Sequence, residues 1–141
     1  MAEIEDLQDT YPGAGTFRFG HDTASSAALI KLVRDGKKRA QCAPLADFAD
    51  DPAAKPVEGR VDIVAHWDGT PALVVKTVRV QQVRWCDVNT NMAHSDLGHD
   101  DFTAWRKTSK AAIKQDHAFD PEMPLLFEFF QLIEDLDGRA L

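Results

Sequence analysis

The sequence predicts an α+β fold built on a closed or half-closed β-barrel with flanking helices, and three observations predict it. A long β-branched run, Pro71 to Trp85 with Val74, Val75, Val78 and Val80, follows the alternating run Arg60 to Trp67 across an Asp68-Gly69 turn. A strand of that length bends to serve both ends of a barrel rather than lying flat. On either side of this pair the apolar spacing changes to a helical period, from Asp22 to Gly36 and from Phe102 to Lys114. At 141 residues, 44% hydrophobic and 28% charged, one core suffices, because a chain of this size buries roughly two-thirds of its unfolded surface.

Taken in order, residues 1–15 form an N-terminal extension, 16–133 the domain and 134–141 a C-terminal tail. The opening Met1-Ala2-Glu3-Ile4-Glu5-Asp6 lacks the basic start and apolar run of a signal peptide, so a cytoplasmic setting is expected. A first strand carries Arg18. The helix that follows is capped by Asp22 or Thr23, presents Leu29, Ile30, Leu32 and Val33 on its apolar face, and stops at Gly36, where glycine tolerates the left-handed conformation. It hands Lys37, Lys38 and Arg39 to the next strand. Ala43 to Gly59, with Pro44, Pro52 and Pro56, reads as one long loop of the kind that borders or covers a site.

After the strand pair, His94 to Asp101 reads as a loop of turn formers. Asp100 or Asp101 then caps a helix with Phe102, Trp105, Ser109, Ala112 and Ile113 on one face and Arg106, Lys107, Lys110 and Lys114 on the polar side. Met123 to Ile133, behind Pro121, closes the sheet, and the acidic tail from Glu134 reads as peripheral.

Composition narrows the chemistry. Cys42 and Cys86 form no CxxC or Cys/His cluster, and the two histidines and three acids of the His94 to Asp101 segment match no ligand spacing, so neither metal nor other cofactor is expected. No run approaches the about 18 apolar residues of a membrane helix, since Glu128 and Gln131 interrupt the most apolar stretch. A net charge of −7 excludes a general electrostatic grip on nucleic acid, so any RNA site must be a local basic patch. Nothing in the sequence specifies an oligomeric state.

Four features together resemble the ASCH family, a branch of the PUA-like barrels, and in particular its bacterial stand-alone members. They are Phe19-Gly20 before the first helix, the turn Gly36-Lys37-Lys38-Arg39-Ala40, the Trp105-Arg106 helix, and Phe119-Asp120-Pro121-Glu122-Met123-Pro124 before the last strand. The resemblance runs from about Thr16 to Ile133 and implies a cleft lined by the Gly-x-Lys turn that accommodates RNA or a modified nucleoside. Some relatives look like ribonucleases. Others are amidohydrolases of acetylated cytidine, whose turn reads Gly-x-Lys-x-x-Thr with a glutamate assisting from a later loop.

Carried onto this chain, the resemblance puts the lysine at Lys38 and the glutamate's role at Asp96. It puts Gln41 where those relatives have threonine; lacking a hydroxyl, Gln41 cannot serve as an oxygen nucleophile. The implied function is binding of RNA or a nucleotide-like ligand beside the Gly36-Lys37-Lys38 turn, with Lys38, Gln41, Arg18 and Arg39 as ligand-binding candidates. The alternatives are a hydrolase of RNA or a modified nucleoside using Lys38 and Asp96, and a regulatory module for a metabolite or protein. A lysine on such a turn is ordinarily a solvated charge, and the resemblance is what moves Lys38 into a cleft. Strand alternation would separate Lys38 from Gln41, whereas the family pattern puts both in one cleft, with Cys42 on the other face as a small buried residue. Trp67, Trp85 and Trp105 are expected to pack rather than to stack on bases.

Overall fold

A computed structural model describes residues 9–138 of the chain. Strand β1 (Gly15–Arg18) leads through a sharp turn at Gly20, where φ is +76°, into helix α1 (Thr23–Arg34). A capping box starts the helix: the Asp22 carboxylate accepts from the Ser25 amide at 2.7 Å, and Ser25 Oγ accepts from the Asp22 amide at 3.2 Å. The apolar stripe of α1 buries Ile30 and Val33 against Phe19, Leu73, Val75 and Phe130. Gly36, at φ +75°, ends the helix, and the amides of Lys37 and Lys38 both fold back onto the Leu32 carbonyl.

The remaining strands are β2 (Ala40–Pro44), β3 (Val61–Ala65), β4 (Pro71–Arg84) and β5 (Pro124–Asp135). They assemble in the order β1-β3-β4-β5-β2, with β1 parallel to β3 and every other pairing antiparallel. Register shifts at Val74/Val75 and Thr77/Arg79 bend the 14-residue β4, so the sheet curls into a half-barrel with three helices around it. Two 3₁₀ turns, Leu45–Phe48 and Pro52–Ala54, occupy the passage expected as one long loop.

Two expectations are corrected. The segment from His94 to Asp101 was expected as a loop, but its first half belongs to helix α2 (Thr90–Leu97), which Asn89 caps by accepting from the Met92 amide at 2.9 Å. Only Met92, Ala93 and Leu97 give this two-turn helix an apolar face, too little to register as a period; its packing into the core with Ala40 and Trp105 holds it. The segment from Glu134 was expected to be peripheral, yet β5 runs on to Asp135, and Leu136 is 3% exposed among Ile63 and Val74. Arg34 fastens this end through Asp135 at 2.7 Å and through Asp137. The opening Met1 to Asp6 and the final Arg139 to Leu141 lie outside the described residues.

Helix α3 (Phe102–Asp116), capped by Asp101, lays Trp105 and Ile113 onto the same core as α2, and Leu125, Phe127 and Phe129 of β5 meet them there. The core thus has two main clusters, one under α1 and one under α2 and α3, and Leu29 and Lys38 lie where they meet.

Candidate functional site

The fold turns Lys38 inward. Its main chain is spent on closing α1, and its side chain, 6% exposed, runs between α1 and α2. An ammonium has three protons to donate, and a buried one is costly unless all are received. Here Nζ donates to the Ala40 carbonyl at 2.8 Å, to the Asp96 carbonyl at 2.6 Å and to Asp96 Oδ1 at 3.0 Å. The Phe19 ring lies beneath it, 5.7 Å from Nζ.

Asp96 sits in the last turn of α2 and is the hub of the cluster. Its Oδ2 accepts from Trp105 Nε1 at 2.9 Å and from the Cys42 thiol at 3.5 Å, so both carboxylate oxygens are engaged. Burial pushes the Cys42 thiol well above its ordinary range, and the neighbouring Asp96 charge adds to this while Lys38 offsets part of it. Cys42 is therefore a thiol here and not a nucleophile.

This cluster closes one end of a cavity of about 470 Å³. Its walls are Leu29, Leu97, Trp105, Ile113 and Leu125, and its mouth carries Asp47, Asp116 and His117. His117 Nε2 lies 2.5 Å from Asp47 Oδ1, tying the end of α3 to the 3₁₀ turn after β2. Trp85 stacks on Trp105 with centroids 6.0 Å apart and donates to Ser109 Oγ at 2.9 Å, which stiffens the indole wall. Three carboxylates, those of Asp47, Asp96 and Asp116, line the space against Lys38 and His117. The field inside does not favour an anion.

Among the sequence candidates, the structure brings together Lys38 and Asp96 and leaves the others elsewhere. Gln41 faces away from the cavity: its amide donates to Glu128 Oε1 at 2.9 Å, and Thr77 Oγ1 donates to Glu128 Oε2 at 2.5 Å. The expectation that Gln41 shares the cleft while Cys42 points away is reversed. Ala40 and Cys42 pair with Phe129 and Phe127 on the helix side, so Gln41, between them, must stand opposite Glu128 on the other face. Arg18 is exposed on β1, its guanidinium 5.5 Å over the Trp67 ring at the β3–β4 turn. Arg39 is exposed on the outer side of the Gly36 turn.

Sequence reasoning missed Cys42, Trp105 and the Asp47/His117 pair as cavity residues. Strand parity, counted from Ala40 rather than from the family motif, is the signal that finds Cys42. Among the described residues no three His, Cys, Asp or Glu side chains converge on a metal position, and no helix is long and apolar enough to cross a membrane.

The comparisons with known proteins agree on the fold. A family model described as ASCH domain matches residues 15–134. No curated protein matches the sequence. Among solved structures, an ASCH domain from Lactobacillus crispatus JV V101 superposes with a TM-score of 0.78 at 20% identity, covering 90% of this chain and 84% of that one. A protein from Enterococcus faecalis V583 superposes with a TM-score of 0.82 at 18% identity, covering 99% of this chain and 95% of the other. At these identities the likeness is one of architecture.

Proposed function

Since the chain belongs to the ASCH domain family, a family generally thought to bind RNA, we propose that its cavity receives one uncharged heterocycle, a nucleobase or nucleoside, offered free or as an unpaired residue of RNA. The observation that carries this reading is the cavity itself, about 470 Å³ with a tryptophan wall and the Lys38–Asp96 pair at its buried end. That volume falls in the roughly 300–1,000 Å³ range of small-molecule sites, which join apolar walls to a few fixed polar groups. The lining acids favour a ligand without its own negative charge in the cavity, so a phosphate belongs outside it. Lys38, with all three protons already received, supports the reading as a fixed dipole partner of Asp96 rather than as a free phosphate clamp.

The test is a thermal-shift and titration series with cytidine, acetylated cytidine, the corresponding nucleotide and short single-stranded RNA, on the native protein and Lys38→Met. A ligand at about 100 times its Kd adds roughly 2.7 kcal/mol of stability. Nucleosides should stabilise the protein at least as well as nucleotides, and Lys38→Met should abolish the response. A clear preference for the nucleotide, or no response to any probe, overturns the reading.

A second reading is hydrolysis of a modified nucleoside, favoured by the burial of an ionisable pair at the closed end of a cavity, where general acid–base groups each contribute about 10²–10⁴-fold. It requires Lys38 to release a proton held by three acceptors and water to attack directly, because Cys42 is held as a thiol and Gln41 is out of reach. Product analysis of the same titration samples separates the two. Turnover that survives Lys38→Met removes the Lys38–Asp96 pair from the chemistry.

A further inference from the structure

The Gly36–Arg39 turn has a second side. Between it and the outer face of α2 lies a recess of about 390 Å³, distinct from the cavity that Lys38 and Asp96 close. Its charged and titratable groups are Lys37, Arg39, His94, His99 and Asp100. Asp100 already faces His94 at 3.0 Å. Lys37 and Arg39 are exposed, and among the described residues neither side chain makes a hydrogen bond or ion pair. The nearby Asp35 is hydrogen-bonded by Lys31 at 2.8 Å, and Lys37 adds only a longer-range attraction to it. Asn91 and Ser95 add neutral polar groups to the wall.

Two exposed cations without a hydrogen-bonded partner, in a concave, polar recess, run against the trend of a chain whose net charge is −7. A planar guanidinium offers paired N–H donors that match two phosphate oxygens, and an ammonium beside it adds a compact charge. We propose that this recess is a phosphate-binding site, with Lys37 and Arg39 as its principal donors and His94 and His99 at its border. The ligand is a phosphate group, carried either by a free nucleotide or by an RNA backbone. The proposal goes beyond the nucleoside cavity and does not depend on what fills it, because the two spaces use opposite sides of the same turn.

The experiment is a titration of the full chain, followed by NMR of backbone amides and histidine rings, with inorganic phosphate, AMP and an oligouridylate of about eight nucleotides, a length within the range of one single-strand site. It compares the native protein with Lys37→Ala/Arg39→Ala and with the charge-matched control Lys107→Ala/Lys114→Ala on α3. The replaced side chains are all exposed, so unchanged thermal midpoints will establish that both variants are folded. Saturable shifts at Arg39, His94 and His99 are expected in the native protein. Losing two charge-assisted contacts should weaken them about tenfold or more in the recess variant, with less than about twofold change in the control. For the oligonucleotide, the slope of log K against log salt should flatten by about 1.4, at roughly 0.7 per lost contact. A response to all three probes identifies a site for any phosphate; a response to the oligonucleotide alone identifies the RNA backbone, and both outcomes support the site. Absence of saturable shifts with every probe, or an equal loss in the control, overturns it.

Discussion

Removing the charge of Asp96 should destabilise the protein more than removing its partner, and the difference follows from which group is left behind. In Asp96→Asn the ammonium of Lys38 stays buried, with 6% of its side chain exposed. It keeps the Ala40 and Asp96 carbonyls at 2.8 and 2.6 Å and loses only the charged acceptor. Stranding one member of a buried pair costs about 3–5 kcal/mol, and the two carbonyls that remain hold the value near the lower end, about 3 kcal/mol. In Lys38→Met the stem is replaced by a flexible apolar chain, while Asp96, 19% exposed, keeps the Trp105 N–H and some access to water. That variant should cost about 1–2 kcal/mol. The double variant should lose about 2 kcal/mol, well short of the summed singles, which gives a coupling of roughly 2–3 kcal/mol. Urea unfolding followed by tryptophan fluorescence measures all three, because Trp105 is buried against Asp96. Single changes that add within about 0.5 kcal/mol, or a Lys38→Met cost above that of Asp96→Asn, would refute a desolvated pair at the cavity floor.

Two further outcomes test the surroundings of the site. Cys42 should resist a thiol reagent at pH 8 while the exposed Cys86 reacts, and Asp96→Asn should speed Cys42 because one of the causes that raise its pKa is gone; equal rates for both cysteines in the native protein would contradict this. Since that thiol titrates higher folded than unfolded, its contribution is full below the unfolded value of about 8.5 and is lost as pH rises from there through the folded value, a decline that Cys42→Ala should flatten in urea melts. Gly20→Ala should cost at least about 3 kcal/mol, because a Cβ there lies 2.5 Å from Ser25 Oγ and 2.8 Å from the Ser26 amide, whereas Gly36→Ala, with nothing within 4 Å, should cost only the left-handed strain of about 1–2 kcal/mol. Equal costs in thermal melts would mean that packing at the start of α1 is looser than these distances require.

The elements that could be seen in the sequence are those whose side chains obey one period over enough residues. Helix α1 declares itself through Asp22 and Gly36, the β3–β4 hairpin through Asp68-Gly69, and α3 through Phe102, Trp105 and Ile113. Helix α2 does not, because in two turns Met92, Ala93 and Leu97 give too small a stripe, and its stability comes from Ala40 and Trp105 across the core. For the same reason Asp96 could be named from the family pattern but not placed: its position depends on a helix that the local sequence does not announce. The Asp47/His117 contact joins residues 70 apart, and no local signal links them.

The reversal at β2 decides how much of the related amidohydrolase chemistry this framework could support. In those relatives the position that Gln41 occupies supplies a hydroxyl to the reactive lysine. Here Cα register pairs Gln41 with Glu128, and half-buried Gln41 and buried Glu128 and Thr77 satisfy one another on the face away from the cavity. A hydroxyl placed at 41 would meet a carboxylate already bonded to Thr77, while Lys38 stays committed to Asp96 on the opposite side. Gln41→Thr should therefore fail to deacetylate acetylated cytidine, and by removing one donor from buried Glu128 it should cost about 1–3 kcal/mol in a urea melt. Turnover that appears in Gln41→Thr and disappears in Gln41→Thr/Lys38→Met would show that residue 41 reaches Lys38 after all, and the binding role of the Lys38–Asp96 pair would have to give way to a catalytic one.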